Sequence, residues 1–341
     1  MRMVILSSQV QVFTSTGEMA AGAAERLNIA EGQAVRIFTG APLPGGANTV
    51  VMQEKVEVAN GKVMLRDTGL QQFQNVREQG SEIKAGSLAM SKGTFLSPAA
   101  IGFLGTIGVA EVDITPAPSV CLILTGNELQ DPGKALAFGQ VYEANSAMLS
   151  AALKQCGVSA LKIIHVTDDL RLLQQAIGAA LEHADMVLLT GGVSVGDYDF
   201  VVAAANNVGV QQCFHRIKQK PGKPLYFGVK DQRIVFGLPG NPSSVLTCFY
   251  EYVLPAIGNM MGKTLGLRTS KATLTHSYVK VAGLRHFLKG HVVEGNVTPL
   301  HAQESYRLHS YAGANCLIVL DEDGTAYNAG DEVEVHLIPD F

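Results

Sequence analysis

Two rhythms of apolar and polar residues run along this chain, and the change between them divides it. From residue 120 onward, short apolar runs at 120–124, 161–166 and 186–189 alternate with stretches of helical spacing. Leu170, Leu173, Ile177, Ala180, Leu181 and Ala184 recur at three- and four-residue intervals, which predicts a helix with one apolar face. Residues 144–155 and 201–205 also favour helix, while 225–229 and 233–238 form a strand pair. Val245, Leu246, Phe249, Val253 and Ile257 mark the buried face of another helix. Strands alternating with helices predict a doubly wound, mostly parallel α/β sheet.

Outside this region the rhythm is that of short strands and turns. Segments 34–38 and 49–52 read as strands, and 56–65 reads as a hairpin around Asn60-Gly61. Between them lies a rigid Pro/Gly loop, 39–48. A helix and turn are expected over 96–108, a strand over 109–114, and a boundary at Thr115-Pro-Ala-Pro118. Strands at 272–281, 287–293, 317–320 and 332–338 predict a small C-terminal β-barrel, with Ser305 or Ser310 near its mouth. The expected domains are a β-rich N-terminal domain (1–80), a partial linking domain (81–117), the α/β domain (118–263) and the barrel (264–341).

Composition narrows the chemistry. The 341 residues are 47% hydrophobic and 16% charged, with a net charge of −4 and no Lys/Arg block, which argues against a nucleic-acid partner. Five scattered cysteines without a CxxC pair read as reduced thiols of a cytoplasmic protein. No apolar run approaches the ~18 residues of a membrane span, and the apolar start is too short for a signal peptide. The nine histidines form no zinc-type pair.

In a doubly wound sheet ligands sit beyond the carboxyl ends of the strands. Those ends carry Thr125-Gly126-Asn127-Glu128, Asp168-Asp169, Thr190-Gly191-Gly192 running through Ser194 to Asp197 and Asp199, and Pro239-Gly240-Asn241-Pro242. Glycine turns opening into helices expose N–H groups suited to anions. Arg216, Lys220 and Lys223 flank the same edge. Taken singly, Lys220 and Lys223 could be solvated and Asp168-Asp169 could cap a helix. Together they predict a phosphate-bearing ligand and a divalent cation.

The blocks TGAPLPGGANTVVMQE (39–54), TGNEL (125–129), GQVYEAN (139–145), GGVSVGDYD (191–199), KPGKP (220–224), GLPGNP (237–242) and QESYRLHSYAGANCLIVL (303–320) resemble, in order, the molybdopterin molybdenumtransferase family, relatives of the gephyrin E domain. The resemblance implies a central domain with the fold shared by the molybdopterin adenylyltransferases. It also implies insertion of molybdate into adenylylated molybdopterin, with Mg²⁺-dependent release of AMP. Glu128, Asp168, Asp199 and Glu82 would be the catalytic acids, Asp168 and Asp199 holding the metal. Thr39, Thr125, Gly126, Gly191, Gly192, Ser194, Arg216, Lys220, Pro221, Lys223, Pro239, Pro242 and Ser244 would line the ligand site. A homodimer is implied, with the molybdopterin adenylyltransferase as a candidate partner.

The chain departs from the family pattern at Asn127, where an acid is usual, at Arg216, often lysine, and at Leu284-Arg285-His286, where the arginine is displaced and its acidic neighbour replaced. Members normally begin with several dozen further residues containing an Asp-Gly-Tyr-Ala stretch. This chain starts after it, through either a late-called start or a real loss. Two alternatives therefore stay open: an adenylyltransferase acting on the same pterin, and a non-catalytic pterin-binding scaffold.

Overall fold

The structure, a computed structural model, describes residues 2–5, 12–193 and 200–339. Its contacts divide into two units, Met1–Ala110 and Glu111–Phe341.

In the first unit, six strands lie in the order Thr49–Met52, Arg2–Ile5, Gln33–Ile37, Val12–Met19, Lys62–Leu65, Val56–Ala59. The strand period of two sends alternate side chains to opposite faces. Ala34 and Val51 join Phe13 and Val63 on one face, while Val35, Ile37 and Val50 join Met19 and Ile29 on the other. The predicted hairpin is present, with Asn60 at φ 49° and Gly61 at φ 73° turning it. Ser97 caps the helix Pro98–Thr106 by accepting from the Ala100 N–H. Residues 109–114 are irregular and not the expected strand. Val112 and Ile114 are exposed, and no neighbouring strand takes up their backbone groups among the described residues.

The second unit holds the doubly wound sheet, in the order Leu161–Val166, Val120–Thr125, Met186–Thr190, Arg233–Leu238, Tyr226–Lys230, Gln211–His215. The first four strands are parallel, Tyr226–Lys230 runs against them, and Gln211–His215 pairs antiparallel to Tyr226–Lys230. Helices cover both faces. Leu149 and Leu153 of Asn145–Gln155, with Val245, Phe249 and Ile257, pack on Leu122, Leu188 and Leu238. Leu173, Ile177 and Leu181 of Leu170–His183, with Val201 and Ala204, pack on Ile123, Leu189 and Val235. Burying each such aliphatic side chain stabilises the fold by roughly 1.5–3 kcal/mol.

The remaining strands close a barrel. Arg285–Val293 pairs with Asn296–Pro299 on one side and Cys316–Leu320 on the other, and Arg268–Leu274 and Glu332–Leu337 complete the ring. The expected strand at 272–281 is broken at residues 275–277, and Tyr278–Val279 pairs elsewhere, with Ala326–Tyr327. The barrel meets the α/β domain through an ion pair. His336 Nδ1 lies 2.9 and 3.0 Å from the two Glu251 carboxylate oxygens, and its Nε2 lies 3.0 Å from Glu334.

Burial lowers the His336 pKa, but Glu251 and Glu334 outweigh it and hold the value above that of a free imidazole. A raised pKa means that the ion pair stabilises fully below about pH 6.5 and is lost as pH rises through the folded value. His336→Gln should therefore lower the melting midpoint by about 2–4 °C near pH 6. The loss should shrink at alkaline pH, as followed by circular dichroism. An equal loss at both pH values would rule out the ion pair as its cause.

Candidate functional site

The topology reverses between Val120–Thr125 and Met186–Thr190, since Leu161–Val166 lies outside the first and Arg233–Leu238 outside the second. That switch point is where a crevice opens at the strand ends. Thr125 and Thr190 end the two strands, and both are buried.

Beyond them the two chains nearly touch. Gly191 has φ +86°, and a Cβ there would lie 2.5 Å from the Thr125 carbonyl oxygen. Gly192 has φ +62°, and its Cβ would meet the Val201 side chain at 3.2 Å. The Gly191 N–H donates to the Leu238 carbonyl at 3.2 Å, which ties this turn to the Pro239 loop. Gly240 follows there, with a Cβ position 3.8 Å from Gly191 Cα. The expected nest of free N–H groups is therefore partly used up, because the Gly191 amide bonds to protein. Gly191 serves the close approach of two backbones, and Gly192 leaves room for the Val201 side chain.

Asp168 enters the rim from the neighbouring strand end. Its Oδ1 accepts from the Thr125 hydroxyl at 2.5 Å and its Oδ2 from the Asn127 N–H at 3.1 Å. The Asn127 side-chain oxygen accepts the Asp168 N–H in return, at 3.3 Å. An acid at position 127 would set a second carboxylate against Asp168, so the asparagine fits this exchange. Asp169 instead caps the next helix through the Leu172 N–H. Glu128 is exposed, with Oε2 folded back to 2.8 Å from the Cβ position of Gly126.

The cationic loop reaches the same end of the sheet. Tyr226–Lys230 runs antiparallel to Arg233–Leu238, so the connection 216–225 emerges where the parallel strands finish. His215 Nε2 lies 2.9 Å from the Val193 carbonyl and joins this loop to the glycine turn. Arg216 sits at φ 68° and donates its N–H to Leu225. Arg216, Lys220 and Lys223 are all exposed, and Pro221 and Ser244 are buried. Gln219–Lys220 pairs with Arg285–His286 and so adds an edge strand to the barrel. Burial, with Lys220 and then Lys280 nearby, depresses the His286 pKa to about 4, so the imidazole beside Lys220 is neutral at pH 7.

The barrel supplies one more group. Asn241 Nδ2 donates to the Ser305 hydroxyl at 2.9 Å, and the Ser243 N–H donates to the Ser305 carbonyl at 3.1 Å. Pro242 opens the helix between them. Ser305 is thus at the rim, whereas Ser310 is buried and bonds to the Ala302 carbonyl. Asn145 escaped sequence reasoning. It is buried and donates to the Gly240 carbonyl at 2.9 Å, and its place at the end of GQVYEAN was the available signal.

Thr39 and Glu82 lie in the first unit, both exposed, in the turn after Gln33–Ile37 and in a polar loop. Ser194 and Asp199 fall outside the described residues. Among the described residues no three His, Cys, Asp or Glu side chains converge as a metal cage. Mg²⁺ needs one or two carboxylates and takes its other oxygens from water and phosphate, so the donor set of Asp168 and Glu128 fits it. A cavity of about 540 Å³ bounded by Pro116, Asp185, Asp231 and Arg233 lies at the opposite end of the sheet, where strands begin and the glycine turns are absent.

The fold defines the class: a β-rich unit, then a doubly wound α/β domain joined to a small closed barrel. Sequence comparison assigns residues 5–108 to the MoeA N-terminal region (domain I and II), 121–259 to a probable molybdopterin binding domain, and 271–338 to the MoeA C-terminal region (domain IV). The molybdopterin molybdenumtransferase of Staphylococcus aureus is 31% identical over 330 residues, covering 95% of this chain and 78% of that protein. That of Staphylococcus epidermidis is 32% identical over 332 residues, with the same coverage. A crystal structure of a molybdopterin biosynthesis MoeA protein from Pyrococcus horikoshii superposes with a TM-score of 0.81 at 30% identity, over 96% of this chain and 81% of that one. The chain belongs to the molybdopterin molybdenumtransferase family.

Gly191→Ala should destabilise the protein by about 2 kcal/mol or more in urea unfolding, since a methyl group is forced against a fixed carbonyl in a left-handed backbone. Gly157→Ala, at φ +87° with open space around it, should cost about 1 kcal/mol. Equal losses would show that close approach is not what position 191 requires.

Proposed function

We propose that this chain is a molybdopterin molybdenumtransferase, inserting molybdate into adenylylated molybdopterin with Mg²⁺-dependent release of AMP. The observation that carries the reading is the Asp168–Thr125–Asn127 cluster, set at the switch point on the same carboxyl edge of the sheet as a loop bearing three exposed cations. The family to which the chain belongs supports the choice of substrate.

In this mechanism Arg216, Lys220 and Lys223 hold the molybdate and phosphate oxyanions by charge-assisted hydrogen bonds. Neutral His286 adds no second positive charge beside Lys220 on the paired barrel strand. Asp168 and Glu128, with Asp199, would hold the divalent cation. When bound, that cation offsets charge on the phosphate as the bond to AMP breaks. The Thr125 hydroxyl and the Asn127 N–H fix the orientation of Asp168 before the ligand arrives. The same reading makes the protein a cytoplasmic homodimer. No helix among the described residues is long and apolar enough to cross a membrane.

The test is AMP release from adenylylated molybdopterin, with and without molybdate. Release that requires molybdate and Mg²⁺ supports the reading, and pterin binding without release would make the chain a scaffold. Asp168→Asn and Asp199→Asn should each lower release by about a hundredfold or more. Binding of the pterin nucleotide should stay nearly intact in both. Parallel loss of binding and release would contradict the assigned roles.

A further inference from the structure

The loop that carries the cations is braced from behind by groups the mechanism above does not use. Gln219 precedes Lys220 and is 2% exposed. Its Nε2 donates to the Pro221 carbonyl at 3.0 Å and lies 3.6 Å from Cys248 Sγ. Its Oε1 accepts from the Tyr252 hydroxyl at 2.5 Å. The Pro221 carbonyl can only accept, so the amide nitrogen faces it and the amide oxygen faces the phenol. Burial pushes the Tyr252 pKa up to about 12, so the phenol keeps its proton and donates. Gly222 closes the turn at φ +92°, and a Cβ there would lie 2.6 Å from Gln219 Nε2 and 2.5 Å from Cys248 Sγ.

Tyr252 reaches this amide from a widened turn of its helix. Pro242–Cys248 runs through a π turn, Phe249–Val253, into Leu254–Met260, and the Leu254 N–H bonds to the Phe249 carbonyl five residues back. Pro255 accounts for the widening. It has no N–H for the Glu251 carbonyl, and in a regular helix its ring would press on that carbonyl. Inserted π turns are frequent at functional sites. This one sends Tyr252 to Gln219 of the cationic loop and its neighbour Glu251 to His336 of the barrel. A buried amide–phenol pair adds little net stability, because each of its bonds replaces one to water. An apolar pair would fill the space with no polar group to satisfy. What the polar pair adds is direction: it fixes one carbonyl of the turn on which Lys220 and Lys223 stand.

We propose that Gln219 and Tyr252 are positioning residues for oxyanion binding: the Tyr252 hydroxyl fixes the Gln219 carboxamide, which holds the Pro221 carbonyl and so sets where Lys220 and Lys223 present their ammonium groups. The inference rests on the reading that these lysines hold molybdate and phosphate oxygens. Neither Gln219 nor Tyr252 touches a reacting atom, and their effect passes through the turn.

Molybdate-dependent AMP release and amide hydrogen exchange test it on the full chain. Tyr252→Phe deletes one oxygen, and Gln219→Met keeps the side chain's length without its amide. Each should raise the KM for molybdate about tenfold and leave kcat within about twofold, the pattern of lost binding alone. The double variant should fall within about twofold of either single variant, because both break one chain of contacts. A Tyr252→Phe enzyme with KM within twofold of wild type, a fall in kcat at unchanged KM, or losses that multiply to about a hundredfold would overturn the proposal. If Gln219→Met does not fold, Tyr252→Phe carries the test alone. Exchange supplies a readout independent of activity. The Leu225 N–H bonds to the Gly222 carbonyl at 3.2 Å and the Ile217 N–H to the Lys223 carbonyl at 2.9 Å, so both report on the loop. Their exchange should accelerate at least tenfold in Tyr252→Phe, while Leu188 in the central sheet stays protected. Unchanged exchange at both amides would refute the positioning role even with a raised KM. A wild-type chain that releases no AMP would place the fault in the functional reading, and the exchange result would then decide the positioning role by itself.

Discussion

One approach between two backbones governs the site: the turn at Gly191 runs against the carbonyl of Thr125, with no room for a side chain between them. It occurs where the sheet order reverses, so the two strand ends that frame the crevice are held together by packing of their own main chains. Everything else at the rim is registered to that contact. Gly191 bonds to Leu238 and brings in the proline-rich turn, and Thr125 orients Asp168. Val193 reaches His215 and brings in the cationic loop. A rigid scaffold of this kind lets exposed loops carry function without wandering.

The second organising feature is that the barrel and the α/β domain share the rim. A two-residue strand containing Lys220 is paired to the barrel, and Ser305 of the barrel is bonded to Asn241 of the α/β domain. His336 and Glu251 join the two on another side. The carboxyl edge of the sheet is thus bounded by both the α/β domain and the barrel. Among the described residues the Gly191 and Asn127 amides bond to protein, and Arg216, Lys220 and Lys223 are exposed cations of this edge.

Much of this was legible in the residues. The apolar runs at 120–124 and 186–189 became central parallel strands because full burial on both faces requires wholly apolar strands, whereas 161–166, with Lys162 and His165 exposed, took the edge. Asn60-Gly61 announced its hairpin because both residues tolerate positive φ. Val12–Met19 was not legible, since only Phe13 and Met19 are buried and the intervening residues are polar. Residues 109–114 misled through alternation alone, because alternation forms a strand only where a partner supplies hydrogen bonds. Asn296–Pro299 was hidden by its brevity after a tight turn. The glycines at 191 and 192 were seen, and of the amides expected to face an anion that of Gly191 donates to the Leu238 carbonyl.

The central claim is that the carboxyl edge of the doubly wound sheet, and not its opposite end, receives the ligand. Hydrogen exchange of the whole chain with and without AMP and Mg²⁺ tests it most directly. The account predicts slowed exchange at 125–128, 190–193 and 239–243, with no change at 116–119 or 231–233. Protection confined to 116–119 and 231–233, around the cavity at the strand starts, would contradict it.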